Sequence, residues 1–323
     1  MDTLLLDAFT KLLATGCSTA TVRAAETGTD CTELHRAIAE AGFLDALLPE
    51  DAGGGGLSLA DVFPLVMACG EHLLPLPFAE TLIARALVHA GGARLPDHAR
   101  VVLAGAGPLL PQSGLASHAL LDADGELQLL PLRDTVSLFR LPLRMPDSSA
   151  APVMRVKGTG AELGLAAAAI TAALMAGAMK RVLAMTLEHI GQREQFGRKI
   201  GQFQAVQQQA AVLGEEVLSV QVAARAGFGG STFTLARSAM AKTRASEASH
   251  RVCDIAHALH GAIGATLEYD LQLFTRRIKH WQLAFGGESY WSRRLAAVYL
   301  DAPDRPVIDF IRHALGDTPE PSA

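Results

Sequence analysis

The chain has 323 residues and a net charge of −5 at pH 7. Half of the residues are hydrophobic, which is enough for a large core in two or three packed units, and no run of Lys or Arg suggests a nucleic-acid-binding face. The four cysteines are widely spaced without a Cys-x-x-Cys pair, which predicts no disulfide framework and no metal site, and favours a reduced, cytoplasmic protein.

Residues 1–97 are predicted to form an N-terminal helical domain. The segment "CTELHRAIAEAGFLDALL" has helical spacing, and "PEDAGGGG" interrupts it. Ser58 is the expected N-cap of the next helix, which Pro75 and Pro77 end. The first residues, "MDTLLLDAFTKLL", lack the basic start of a signal peptide, so we expect no targeting signal here.

Residues 98–158 are predicted to form a small β middle domain, because the apolar pattern changes here. Short segments such as "ARVVLAGAG", "VSLFRLPLR" and "PVMRVKG" are β-branched or alternating, and Pro, Gly and Asp bound them. The sequence "DADG" at 122–125 lies between two apolar runs and predicts a hairpin.

Residues 159–323 are predicted to form a C-terminal four-helix bundle. Three long stripes of apolar residues follow helical spacing, and a shorter helix is expected around "AAVYL". The apolar stretch at 163–179 is mostly alanine, so we interpret it as a buried bundle helix and expect no membrane span. The predicted fold class is therefore mainly α with a small β middle domain, in the order α–β–α.

A corner separates two of the predicted bundle helices at "REQFGRKIGQFQAVQ", residues 193–207. It permits two interpretations. In one, Gly197 and Gly201 form a tight turn and Phe196 caps the core. In the other, the corner binds an anion and a ring, with Arg193 as the cation, amides such as that of Gln204, and the N-terminus of the next helix. Spacing alone leaves both open.

The sequence of this corner resembles the Arg-x-x-Phe-Gly signature of the acyl-CoA dehydrogenases. Downstream, "ALHGAIGATLEYDLQLFTRRIKH" at 258–280 is similar to that family's "QIHGGIG" segment and the charged helix after it. Upstream, "GFLDALLPEDAGGGGLSLADV" at 42–62 resembles the family's Gly-rich N-terminal loop. Three motifs in the family's order cover most of the chain, so the resemblance implies the family's α–β–α fold.

The resemblance also implies FAD as the cofactor. In the family, the corner and the glycine turn hold the ADP half of an FAD whose flavin lies in a neighbouring subunit. An arginine suits a pyrophosphate because its planar, permanently charged fork matches phosphate oxygens. By this resemblance the cofactor-binding residues are Arg193, Phe196, Phe203, Gln204, His260, Gly261 and Gly264.

The family's catalytic carboxylate has no counterpart in this sequence. The family removes an α-proton from an acyl-CoA with a carboxylate base while the flavin takes a β-hydride. Of the two positions that carry this base, one is occupied here by Phe285 and the other by Ala167. Glu288 and Glu162 are the nearest acids, and a solvated helix face is the default role of each. The β segment is also shorter than the family's middle domain.

The features that serve a neighbour's FAD are thus present, while those that build an active site are missing. This predicts a subunit of a heteromeric acyl-CoA dehydrogenase, paired as α2β2 with a full-length acyl-CoA dehydrogenase subunit. The substrate would be an acyl-CoA, with bulky or steroid-derived acyl groups as candidates, and the electron acceptor an electron-transfer flavoprotein or similar protein. Two alternatives are a self-sufficient enzyme with a displaced base and a flavin-free structural or acyl-CoA-binding protein.

Overall fold

Along the chain, the computed structural model has helices, then a small sheet, then helices again. It describes residues 3–105, 110–123, 125–134, 143–157, 160–301 and 306–316. This order confirms the predicted α–β–α fold class. All five strands of the sheet lie within 98–158, although the domain boundaries themselves stay predictions.

The N-terminal part packs around three aromatic rings. Its helices are α1 (Thr3–Gly16), α2 (Thr19–Glu26), α3 (Thr32–Glu40), α4 (Leu59–Glu71) and α5 (Phe78–Ala90). The Phe9 ring lies 4.8 Å from the rings of Phe43 and Phe78. Ser58 is the N-cap of α4, as predicted, and forms a reciprocal capping box with Asp61.

The small sheet contains the predicted hairpin. Its strands are β1 (Val101–Ala104), β2 (His118–Ala123), β3 (Glu126–Asp134), β4 (Arg144–Pro146) and β5 (Met154–Lys157). β2 and β3 pair antiparallel up to Ala123 and Glu126, with Gly125 at φ +80° in the turn. β1 pairs parallel with β2, and β5 pairs antiparallel with β3. Most of the strand predicted at "VSLFRLPLR" lies outside the described residues.

The C-terminal part contains the predicted bundle and, among the described residues, two further helices. Its three long helices are α6 (Gly160–Gln192), α7 (Gln204–Gly227) and α8 (Leu235–His260), and the shorter helices are α9 (Leu271–Leu283), α10 (Glu288–Leu300) and α11 (Val307–Leu315). Of the shorter helices, α10 is the predicted fourth helix of the bundle, and α9 and α11 are the further two. The segment Leu163–Gln192 is long and apolar enough to cross a membrane, but 83% of its apolar window is buried inside the fold. Such burial is that of a core helix, as predicted.

Two glycines bring the N-terminal helices close to the bundle. A Cβ added to Gly70 of α4 would collide with the carbonyl oxygen of Leu174, and one added to Gly177 of α6 would collide with that of Met67. The backbones of α4 and α6 therefore touch where they cross. This contact fixes the N-terminal helices against the helix that leads into the candidate site.

Candidate functional site

The predicted corner between α6 and α7 is a β-hairpin with a two-residue loop. Its strands are β6 (Glu194–Gln195) and β7 (Arg198–Lys199), which pair antiparallel. The loop residues Phe196 and Gly197 have φ of +53° and +77°. Positive φ at both central residues is what a type I′ turn requires, and Asn-Gly is the usual sequence there. A phenylalanine in this conformation is uncommon and strained.

Phe196 points away from the protein, so the interpretation that it caps the core is wrong. Its side chain is 92% exposed, and its ring makes an edge contact with the Phe203 ring at 6.2 Å between centroids. A strained backbone that presents a large exposed ring is typical of a recognition surface. The exposed ring therefore favours the second interpretation, in which the corner binds an anion and a ring.

Within the described residues, Arg193 is one free cation of this corner, and the exposed Lys199 is another. The Arg193 side chain is exposed, and it makes no hydrogen bond or ion pair with any residue of the described part of the chain. Arg198 differs, because its guanidinium carbon lies 4.0 Å from the centroid of the Phe203 ring. Gln204 begins α7, which has no side-chain cap and therefore leaves first-turn N–H groups available to an anion.

The second motif forms the turn that ends α8. His260 is buried, with 5% exposure, and its Nδ1 lies 2.8 Å from the carbonyl oxygen of Ala256. Gly261 follows at φ +66°, a conformation that favours glycine. Gly264 is required by internal packing, because an added Cβ would lie 2.9 Å from Cβ of His260. Packing within the chain therefore explains why residue 264 is a glycine, and the backbone conformation explains why residue 261 is one.

His189 brings the two motifs together. It lies one helical turn before Arg193, and its ring stacks on that of His260 with centroids 4.5 Å apart and planes 24° from parallel. Burial lowers the pKa of both histidines, and the charge of Arg193 lowers that of His189 further. Sequence reasoning missed His189. The available signal was its position four residues before Arg193, on the same face of a helix.

The two positions at which a catalytic carboxylate is expected are buried and apolar. Phe285 is 8% exposed, and its ring lies beside Gly105, where an added Cβ would be 3.2 Å from it. Its carbonyl oxygen accepts a hydrogen bond of 2.8 Å from Nε1 of Trp291. Ala167 is fully buried within α6. Neither side chain can exchange a proton with a substrate.

The two alternative acids gain no support as bases. Glu288 is exposed at the first residue of α10, where a carboxylate is stabilised by the helix dipole. Glu162 belongs to α6, but its side chain lies outside what the structure describes. The described geometry therefore contains a candidate anion- and ring-binding corner and, at the tested positions, no catalytic group.

The matches to known sequences point to the same family that the sequence motifs resemble. Residues 161–299 match the family model described as acyl-CoA dehydrogenase, C-terminal domain. The chain is 32% identical over 260 residues to the acyl-CoA dehydrogenase IpdE2 of Mycolicibacterium smegmatis, covering 78% of this chain and 82% of that protein. It is 30% identical to the acyl-CoA dehydrogenase FadE34 of Mycobacterium tuberculosis, covering 81% of this chain but only 41% of FadE34.

Solved structures share the fold at lower sequence identity. The ChsE4-ChsE5 complex from Mycobacterium tuberculosis matches with a TM-score of 0.79 and 22% identity, over 94% of this chain and 97% of that chain. The FAD complex of PigA matches with a TM-score of 0.70 and 16% identity, over 91% of this chain and 96% of that chain. One neighbour is thus a complex of two named subunits, and the other is a complex with FAD.

Proposed function

The chain is a member of the acyl-CoA dehydrogenase family, and we propose that it is one subunit of a heteromeric, FAD-dependent acyl-CoA dehydrogenase. In this proposal it contributes the ADP side of the FAD site to a catalytic partner subunit. The observation that carries the proposal is a contrast between two Phe-Gly turns. The Phe196 ring is exposed beside Arg193, which has no side-chain partner in the described chain. The Phe285 ring, at an expected base position, is buried.

The residues of the corner fit the ADP half of FAD. Arg193 offers a guanidinium fork without an intrachain partner in the described structure, which matches the two phosphates of a pyrophosphate. Phe196 offers an exposed ring. The uncapped N-terminus of α7 supports negative charge nearby. Arg193, Phe196 and Gln204 are all exposed, which is the arrangement expected if the cofactor is held mainly by a neighbour.

The catalytic step would belong to the partner subunit. The bound FAD supplies a hydride acceptor for α,β-dehydrogenation of an acyl-CoA thioester, and a carboxylate must remove the α-proton. In this chain Phe285 and Ala167 have no titratable group. The partner would therefore be a full-length relative with the acid and a complete β domain. This chain would serve to complete the cofactor site and to position the partner.

The substrate and surroundings follow by analogy and are part of the proposal. A solved steroid acyl-CoA dehydrogenase variant shares the fold, with a TM-score of 0.79 and 23% identity over 94% of this chain and 98% of that chain. This supports a bulky, steroid-like acyl-CoA as the substrate of the complex. We expect the complex to work in the cytoplasm and to pass electrons to an electron-transfer flavoprotein or similar acceptor.

Co-expression with a full-length relative that has an intact carboxylate tests the proposal. We expect an α2β2 complex that contains two FAD molecules, measured by light scattering and by the flavin-to-protein ratio. Purified alone, this chain should be colourless and inactive towards acyl-CoA. A yellow, active homotetramer with four FADs would instead show a self-sufficient enzyme. Failure to acquire flavin with any such partner would favour a flavin-free structural or acyl-CoA-binding protein.

A further inference from the structure

A cavity of about 210 Å³ lies in the N-terminal part of the fold, and none of its lining residues belongs to the corner or to the turn that ends α8. Its wall comes from the segment between α3 and α4, from the last turns of α5 and from the loop that follows α5. The segment between α3 and α4 carries the Gly-rich motif of the sequence, to which the proposed function gives no role. The lining includes Asp45, Leu48, Ala52, Arg85, Arg94 and Leu95.

One side of the cavity is apolar and tightly packed. Leu48 and Leu95 are buried, with 5% and 3% exposure. The Gly-rich loop folds back onto Leu48, because a Cβ added to Gly54 would collide with the carbonyl oxygen and the Cβ of Leu48. This close approach holds the apolar wall in place, and such a wall suits the hydrocarbon part of a ligand.

The other side of the cavity contains a buried arginine, Arg85, which is 6% exposed. Its Nη1 donates a hydrogen bond of 2.7 Å to Oδ1 of Asp45, and its Nη2 donates one of 2.8 Å to the carbonyl oxygen of Asp97. These two bonds fix the guanidinium, but its Nε is shielded from solvent and has no hydrogen-bond partner among the described residues. Buried donors are nearly always paired, so an acceptor seated in the cavity that Arg85 lines is the available partner.

The charges around the cavity favour an anion. Arg85 and Arg94 contribute two positive charges to the lining, and Asp45 contributes one negative charge. Arg94 is 68% exposed, and its ion pair with Asp97 is long, at 3.6 Å, so this arginine gains little from contacts within the chain. The last carbonyl groups of α5 accept hydrogen bonds from backbone N–H groups of the following loop, which reduces their effect on a bound anion.

We infer that this cavity binds a small carboxylate with a short apolar body. Its carboxylate accepts hydrogen bonds from Nε of Arg85 and from Arg94, because a planar carboxylate matches the guanidinium fork. Its hydrocarbon part packs against Leu48 and Leu95. The volume is below the range of roughly 300–1,000 Å³ that larger ligands occupy, which excludes a nucleotide, and inorganic phosphate has no apolar part to cover the leucines. This site is independent of the function proposed above.

The first test uses the unmodified full chain and isothermal titration calorimetry with three probes, which are butyrate, butyramide and inorganic phosphate. Butyramide has nearly the shape of butyrate without its charge, and phosphate has charge without an apolar body. We expect butyrate to bind more tightly than either. Equal binding of butyrate and butyramide, tighter binding of phosphate, or no binding of butyrate would each overturn the inference.

Variants of the lining locate the binding site. Ala52→Leu adds side-chain volume at the cavity without changing its charge, so it should abolish butyrate binding. Arg85→Lys keeps a positive charge beside Asp45 but removes Nε, and it should weaken butyrate binding by about tenfold or more, the loss expected of one charged hydrogen bond. Wild-type butyrate affinity in either variant, once thermal unfolding shows that it is folded, would overturn the site.

Arg94→Gln tests the rim of the cavity and changes only an exposed side chain. It should weaken butyrate binding about two- to fivefold, as expected for one solvent-exposed ion pair. Arg155→Gln is the matched control, because Arg155 is 57% exposed, has a similarly long ion pair of 3.8 Å with Glu126, and does not line the cavity. Equal weakening in both variants would show a general effect of surface charge and overturn the role of Arg94. FAD affinity of the complex reports separately on the proposed function.

Discussion

Arg193→Ala should lower the affinity for FAD while leaving the free energy of unfolding almost unchanged. The side chain is exposed and makes no hydrogen bond or ion pair within the described structure, so its removal should change the free energy of unfolding by less than about 0.5 kcal/mol. A charged hydrogen bond to a phosphate contributes about 1.5–3 kcal/mol. Loss of one such bond should therefore weaken FAD binding roughly 10- to 150-fold.

The assay is a titration of FAD into the flavin-depleted complex, followed by flavin fluorescence, with thermal unfolding of each variant measured in parallel. Arg225→Ala is the matched control, because Arg225 is an exposed arginine in the last turn of α7, the helix that follows the corner. It lies about 32 Å along α7 from Gln204, since each residue adds about 1.5 Å. Equal FAD affinity in Arg193→Ala and Arg225→Ala would refute the assignment of Arg193 to the pyrophosphate.

Three further predictions test the other features. Phe285→Glu should give no acyl-CoA turnover in this chain alone, because the β domain that would enclose a flavin is short. Turnover by a folded Phe285→Glu homomer, compared with Phe285→Leu, would contradict this. Burial raises the pKa of Glu80 from 4.5 to about 8, so the folded chain binds more protons than the unfolded chain in this window and stability falls as pH rises through it. In urea unfolding, Glu80→Gln should flatten the dependence of the free energy of unfolding on pH. At pH 9 it should stabilise the fold by about 3 kcal/mol, because ionising the buried Glu80 costs on the order of 5 kcal/mol and burying an unpaired amide costs about 1–3 kcal/mol. An unchanged pH dependence would contradict this prediction. Phe196→Asn should raise the free energy of unfolding by about 1 kcal/mol, because asparagine suits a type I′ turn, while lowering the FAD affinity of the complex; unchanged affinity would remove Phe196 from the site.

Elements with strong local signals could be predicted from the sequence. Ser58 followed by Asp61 specifies a helix start through hydrogen bonds that span only three residues. The "DADG" segment specifies a hairpin because Gly125 can adopt a positive φ. The long stripes of the bundle are also local, since they depend only on the period of apolar residues. Each of these features is decided within about one turn or one element of the chain.

The contacts that build the site could not be predicted in the same way. His189 and His260 are 71 positions apart, and only the packing of α6 against α8 stacks their rings. The crossing of α4 and α6 at Gly70 and Gly177 is equally remote in sequence. The resemblance located the corner and the glycine turn separately, while their proximity through His189 followed only from the three-dimensional structure.

Two Phe-Gly pairs show most directly why local sequence is insufficient. Phe196 and Phe285 have nearly the same positive φ, +53° and +54°, and the glycine that follows each also has positive φ. Yet the first ring is 92% exposed and the second 8% exposed. At Phe285 the strain is offset inside the chain, by burial against Gly105 and by the hydrogen bond from Trp291.

At Phe196 the described chain offers no comparable compensation, since the ring makes only an edge contact with Phe203. A strained conformation persists when the surrounding structure holds it, and here the hairpin holds the backbone while the ring stays free. In the proposed complex, a contact from outside this chain would cover that ring. A cofactor held by a neighbouring subunit would provide such a contact. It would also explain why the strained turn at Phe196 lies at the surface, while the ring of the similar turn at Phe285 is buried.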